Sequence, residues 1–287
     1  MGVEIIMKNV GVIGAGTMGR GVAEAFATKG YQVVLVDCSE KALDEAKVDI
    51  RNITRFKILR TKDVNALKPD EVLENIVFTQ ELGLLKNAEF LVENVCEKWE
   101  VKAEIYPQID EICPKDTIFA ANTSCISITK IASLTRREDK VIGIHFMNPV
   151  EYINSVEVIK GYKTSEDTQE SVQKILESIG KEAIVINDYP GFVSNRISHL
   201  MMNEAAFIIQ DGVARPEEVD DIMKKCYGHT MGPLETADLI GLDTVVDSLD
   251  VLYDSFKDSK FRCCPLLRKM VDVGLKGRKS GEGFYKY

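Results

Sequence analysis

Apolar positions in the first part of the chain fall into two alternating patterns. Short runs rich in β-branched residues, at 10–13, 33–36, 90–95, 118–121 and 141–144, are almost wholly apolar. Between them lie longer stretches at 19–29, 41–60, 101–111 and 126–134 that read as helices. Strands apolar at every position are buried on both faces, as in a parallel sheet covered by helices. Repeated strand–helix alternation predicts a doubly wound α/β domain. Another strand is expected over 155–159, reached through a bend near Asn148-Pro149. After 185–186 the pattern changes. Asn187-Asp188-Tyr189-Pro190-Gly191 are turn formers. Beyond them helices are expected over 195–210, over 217–225 behind Pro216, from Gly232-Pro233 onward and over 265–273, with no convincing strand. The expected organisation is an α/β domain over 1–187 and a smaller all-helical domain over 188–287.

The length of 287 residues suits one large domain or two ordinary ones. A net charge of -9 argues against nucleic acid as a main partner, since phosphate contacts need a positive face. It leaves room for a small anionic ligand on a local basic patch. No apolar run approaches the roughly 20 residues that span a bilayer, and the start runs straight into a strand pattern without a signal-peptide layout. A cytoplasmic protein is expected. The seven cysteines, Cys38, Cys96, Cys113, Cys125, Cys226, Cys263 and Cys264, form no C-x-x-C pairs, so neither a metal site nor a disulfide framework is expected. They read as reduced thiols, with no base evident beside Cys125.

Chemistry-bearing residues stand where strands end. Gly14-Ala15-Gly16-Thr17-Met18-Gly19 follows the first strand and opens the first helix. In such a G-x-G-x-x-G loop the glycines allow a tight turn, close approach of a pyrophosphate and close helix–strand packing, with the anion on the helix N-terminus. The second strand ends in Asp37, 18 positions past Gly19. A carboxylate there accepts the ribose hydroxyls of NAD and repels the 2′-phosphate of NADP. The expected architecture is therefore a Rossmann-type sheet that holds NAD. The next strands run into Glu93-Asn94, into Asn122-Thr123-Ser124 and into His145. Ligands of open α/β sheets bind at this edge, which makes His145 a candidate general base. Glu157 lies 12 residues on, far enough for the chain to turn back. A buried carboxylate needs a partner, and an imidazole so paired is oriented and made more basic.

The chain resembles the short-chain L-3-hydroxyacyl-coenzyme A dehydrogenases, including bacterial 3-hydroxybutyryl-coenzyme A dehydrogenases. The resemblance is carried by VIGAGTMGRG, ANTS at 121–124, IGIHFMNPV at 142–150, VEVI at 156–159, PGFVSNR at 190–196, MGPLETADLIGLD at 231–243 and GRKSGEGFYKY at 277–287. It implies NAD-dependent, reversible oxidation of the 3-hydroxyl of a short 3-hydroxyacyl thioester. His145 is then the base and Glu157 its orienting partner, with Ser124 and Asn195 hydrogen-bonding around the substrate. It also implies that Glu93 and Lys98 or Lys102 lie near the nicotinamide ribose, with Asn122 beside the cofactor and Asn148 beside the substrate. The helical domain would complete the cleft and form a homodimer. From 49 to 62 there are five basic residues and one acid, and Arg55 falls where the family holds the 3′-phosphate of coenzyme A. That stretch also reads as a solvated helix face, and Asn195 as a plain helix cap.

Several positions depart from the family pattern: Ala121, Val150 through Ser155, and Thr230. They leave the catalytic set intact but fall close to it. Alternative substrates are a polar 3-hydroxyacyl group on an acyl carrier protein, suggested by Glu151, Asn154 and Ser155, or a free hydroxy or sugar acid. A non-catalytic, crystallin-like protein is the remaining reading, and the intact His145–Glu157 pair stands against it.

Overall fold

Strand β1 (Asn9–Ile13) is buried from Val10 onward, so it takes an interior place in a sheet. It leads through α1 (Thr17–Ala27), β2 (Gln32–Val36), α2 (Glu40–Thr61) and α3 (Pro69–Glu74) to β3 (Ile76–Thr79). The chain then returns past β1 to β4 (Phe90–Glu93), α4 (Trp99–Ile112), β5 (Ile118–Ala121), α5 (Ile128–Ala132) and β6 (Val141–His145). It closes with β7 (Ser155–Lys160), α6 (Glu166–Ser178) and β8 (Glu182–Asn187). The result, a computed structural model, describes residues 7–62 and 65–287. The expectation that the first six residues run into a strand without a leader lies outside the described residues.

The eight strands lie in the order β3-β2-β1-β4-β5-β6-β7-β8. All neighbours are parallel except β6 and β7, which are antiparallel. Because the strand order reverses at β1 and β4, a crevice opens at their carboxyl ends, the place where such sheets take ligands. Val12, Leu35, Phe90, Val92 and Ala120 are inaccessible to solvent and pack with Val22 and Phe26 of α1 and Ile50 of α2. Local chemistry sets the helix starts. Ser39 accepts from Ala42 N–H at the head of α2, and Ser165 from Thr168 N–H at the head of α6.

The expected helices and strands are present with shifted ends. The strand expected over 90–95 stops at Glu93, because Glu93 turns inward and accepts the backbone N–H of Val95. The helix expected over 126–134 shrinks to the five residues of α5. Strands β3 and β8 and helices α3 and α6, with a helix over Leu242–Phe256 in the second unit, are additions to the expected set.

Contacts divide the chain between Asp188 and Tyr189. The second unit, Tyr189–Tyr287, is helical: α7 (Ser194–Gln210), α8 (Pro216–Tyr227), α9 (Pro233–Ile240), α10 (Leu242–Phe256) and α11 (Pro265–Asp272). Met202, Ala237, Val245, Leu249 and Leu267 form its core. Prolines open α8, α9 and α11, where a missing N–H costs nothing. Two buried carboxylates hold its C-terminal strip. Asp220 accepts from Leu234 and Glu235 N–H and from the Tyr285 hydroxyl; Asp238 accepts from Phe284 and Tyr285 N–H and from the Tyr287 hydroxyl.

Candidate functional site

The glycine loop joins β1 to α1. Gly14 has φ +92°, a conformation that favours glycine, and a side chain there would press on the carbonyl of Asn94. A side chain on Gly19 would overlap the carbonyl oxygen of Gly14, while one on Gly16 would meet nothing within 4 Å. Gly14 and Gly19 thus shape the turn, and Gly16 leaves open space over it. Thr17 and Met18 are the first residues of α1, whose N-cap is Gly16 and which lacks a side-chain cap. Asp37 accepts from Ala15 N–H at 2.8 Å and from Ser39 N–H at 2.8 Å, one bond at each carboxylate oxygen. Its remaining lone pairs lie at a cavity of about 540 Å³ bounded by Ile13, Gly14, Gly16, Val36, Asp37, Leu82, Asn94 and Val101. An apolar slot with one acid and an open glycine backbone fits the adenosine half of a dinucleotide.

His145 is the last residue of β6, and Glu157 is its register partner on β7. Residues opposite one another on antiparallel strands share a face, so the antiparallel turn sets the two side chains together. Nδ1 of His145 lies 2.8 Å from Oε2 of Glu157, and both residues are buried. An ionised carboxylate only accepts, so Nδ1 carries the proton and Nε2 of the neutral ring keeps its lone pair. The hydroxyl of Ser124 lies 3.3 Å from that Nε2 and donates to it.

The loop after β5 is fixed from two sides. Asn122 Nδ2 donates to Asn94 Oδ1 at 2.6 Å, and Phe146 N–H donates to Asn122 Oδ1 at 3.3 Å. Asn122 therefore ties the tips of β4, β5 and β6. On the other side Glu97 Oε1 accepts from the Thr123 hydroxyl at 2.5 Å and from Ser124 and Cys125 N–H, each at 2.9 Å. Glu97 escaped the reading of the sequence. It sits in a loop four residues past the strand-end acid that drew attention, and only its place before α4 hints at a role.

Glu93 and Lys102 pair with each other. Both oxygens of Glu93 accept from Lys102 Nζ, at 2.9 and 2.7 Å, and Glu93 also takes Val95 N–H and the Tyr106 hydroxyl. Lys102 is inaccessible and Glu93 nearly so. Burial raises the Glu93 carboxyl above its ordinary range, against the pull of Lys102. Burial, with Glu93 alongside, pushes the Tyr106 phenol well up. With these bonds made internally, the pair anchors the 94–98 loop, and neither residue bounds the cavity beside Asp37. Lys98, the exposed N-cap of α4, remains at the surface.

The other expected residues lie at the surface or in the second unit. Asn148 is exposed, before Pro149. Arg55 is exposed on α2, where Arg51 pairs with Asp70, Lys57 with Glu24, and Arg60 lies 4.6 Å over the Tyr152 ring. Asn195 is the second residue of α7, whose N-cap is Val193, so the plain-cap reading of Asn195 is not met. Among the described residues no helix is long and apolar enough to cross a membrane.

Residues 9–189 match the family model described as 3-hydroxyacyl-CoA dehydrogenase, NAD binding domain, and residues 191–287 match 3-hydroxyacyl-CoA dehydrogenase, C-terminal domain. The chain is 44% identical to a 3-hydroxybutyryl-CoA dehydrogenase of Clostridioides difficile, covering 96% of this chain and 98% of the relative. It is 38% identical to the mitochondrial hydroxyacyl-coenzyme A dehydrogenase of Homo sapiens, covering 99% and 92%. Its structure is similar to the crystal structure of (S)-3-hydroxybutyryl-CoA dehydrogenase from Ralstonia eutropha. The TM-score is 0.92 and the identity 40%, over 98% of this chain and 99% of that one.

Proposed function

The chain belongs to the 3-hydroxyacyl-CoA dehydrogenase family, and from that premise we propose that it oxidises the 3-hydroxyl of a short 3-hydroxyacyl-CoA thioester, reversibly, with His145 as general base. The observation that carries this reading is the buried His145–Glu157 pair with Ser124 at Nε2, the second ring nitrogen. Bound NAD⁺ supplies the hydride acceptor. Nε2 of His145 takes the proton that the substrate hydroxyl loses, and Glu157 balances the positive charge this places on the ring. Ser124, fixed by Glu97 and near the Asn122 bridge, bonds the reacting oxygen. Asp37 holds the adenosine ribose, and the backbone over Gly16 holds the pyrophosphate. Asn195 bonds the substrate from the helical unit, and Arg55 takes the 3′-phosphate of coenzyme A from the outer face of α2. Exposed Ile197, Ile222, Tyr227, Leu239 and Val251 support a homodimer built through the helical unit, which light scattering measures directly.

The test is NADH oxidation with acetoacetyl-CoA beside acetoacetate and an acetoacetyl thioester of acyl carrier protein. The CoA thioester is expected to react fastest. Preference for free acetoacetate overturns the thioester reading, and preference for the carrier-protein thioester overturns the CoA reading. His145→Gln is expected to lose about 10²–10⁴-fold in kcat while NADH still binds. A variant keeping more than about a tenth of kcat refutes the base assignment.

A further inference from the structure

Two of the cysteines line the dinucleotide cavity, and the reaction uses neither. Cys38 follows Asp37 at the end of β2, and Cys96 lies in the loop after β4. Because β2 and β4 flank β1 on either side, the tips that carry these thiols bracket the glycine loop. Both residues are exposed and both bound the same cavity as Gly14, Gly16 and Asp37.

The remaining cysteines differ. Cys113, Cys125, Cys263 and Cys264 are buried. Burial pushes the Cys113 and Cys263 thiols up to about 11 and raises that of Cys264, which holds them as unreactive thiols. Cys226 is exposed, but on α8 of the helical unit. So two of the three exposed thiols stand at the one cavity where an adduct would compete with the cofactor.

We propose that Cys38 and Cys96 make the dinucleotide cavity a thiol-modification site, at which a mixed disulfide with a low-molecular-weight disulfide and bound NAD(H) exclude one another. At either cysteine the thiol gives its proton to solvent and the thiolate sulfur bonds to one sulfur of the disulfide. The reagent's own S–S bond breaks, its second half leaves as a thiolate, and no further oxidant is needed. The adduct occupies space beside Asp37 or Asn94 that the adenosine half requires. A reducing thiol reverses the exchange and reopens the cavity. This inference rests on NAD occupying that cavity, and NADH binding by the unmodified enzyme tests that premise separately.

The experiment treats the Cys226→Ser enzyme with 5,5′-dithiobis(2-nitrobenzoate), following release of the coloured thiolate and locating adducts by peptide mass spectrometry. Labelling is expected at Cys38, Cys96 or both. NADH at about 100 times its dissociation constant leaves about one molecule in a hundred open, so the labelling rate should fall by about that factor. The labelled enzyme should bind NADH at least about tenfold more weakly by fluorescence, with binding restored by dithiothreitol. In the Cys38→Ser/Cys96→Ser/Cys226→Ser enzyme, NADH affinity should be the same before and after reagent. Equal labelling rates with and without NADH, or unchanged NADH affinity after labelling of both cysteines, overturns the proposal.

Discussion

Glu157→Gln isolates the charge in the proposed base pair. Glutamine keeps an acceptor for the Nδ1 proton of His145 and removes the carboxylate charge. His145 is 7% exposed and Glu157 9%, so the screening that reduces surface ion pairs to little is weak here. When Nε2 takes a proton, the ring becomes a cation 2.8 Å from the carboxylate. Hydrogen bonds to charged groups contribute about 1.5–3 kcal/mol, against about 0.5–1.5 kcal/mol for neutral ones. The glutamine variant retains the neutral bond and loses the difference, roughly 1–2 kcal/mol of transition-state stabilisation. At about 1.4 kcal/mol per factor of ten, kcat should fall roughly 5–30-fold.

The assay is kcat for NAD⁺-dependent oxidation of 3-hydroxybutyryl-CoA at saturating concentrations of both, with NADH affinity measured separately by fluorescence. The cavity beside Asp37 is bounded by other residues, so affinity for NADH should stay within about twofold. A variant whose kcat lies within about twofold of the parent refutes the electrostatic role, because a neutral acceptor would then serve as well as a charged one. A loss carried by NADH affinity with kcat intact refutes it in a different way, by placing the effect on binding.

Three further outcomes follow from the same geometry. Gly16→Ala should leave the melting temperature nearly unchanged and abolish NADH binding, since a side chain there meets open space that the pyrophosphate requires, whereas Gly19→Ala should destabilise the fold by colliding with Gly14; similar melting curves for the two variants refute this division. Asp37→Ala should weaken NADH binding about tenfold or more, the usual worth of hydrogen bonds to a charged group, and unchanged affinity refutes the ribose role. Lys102→Met strands the Glu93 carboxylate and should cost about 3–5 kcal/mol in urea denaturation at neutral pH. Burial already raises that carboxyl above 4.5, and removing Lys102 raises it further. The folded variant then holds a proton that the unfolded chain gives up, so its stability should be greatest in acid and decline as pH rises above 4.5. A variant whose deficit is flat across that range refutes the reading.

The interior strands were legible because burial on both faces leaves a run of apolar residues, as at Val33–Val36 within β2 and throughout β5. The edge strands were not. β3 is the four residues Ile76–Thr79, with Val77 half exposed, and β8 alternates toward solvent with Ile184 exposed. Both still carry short apolar runs, at 76–78 and 183–186, so the sequence held a signal there. Helix α10 escaped for another reason. It follows α9 after the single residue Gly241, held at φ +105° against the Lys279 side chain, so no cluster of turn residues announces a new element. A chain that reverses on one glycine looks like one interrupted helix.

The site divides along similar lines. His145 and Glu157 were readable as a pair because 12 residues let the chain turn back and a buried carboxylate needs a partner; the antiparallel register that sets them opposite one another belongs to the fold. Glu93 and Lys102 had no such rule. Charged residues are seldom fully buried unless paired, so an acid at a strand end reads as ligand-facing, and the family resemblance put a lysine nine residues on beside the same ribose. Their union depends on α4 laying Lys102 against the sheet beside β4, which is a tertiary fact. The same blindness hid Glu97, whose partners Thr123, Ser124 and Cys125 lie 26 to 28 residues away. Acids near a strand end are therefore of two kinds. Glu93 satisfies its charge inward with a lysine, a tyrosine and one amide, whereas Asp37 spends one bond per oxygen on its own loops and keeps lone pairs at the cavity. What separates them is the count of satisfied lone pairs, and that count is available only once the chain is folded.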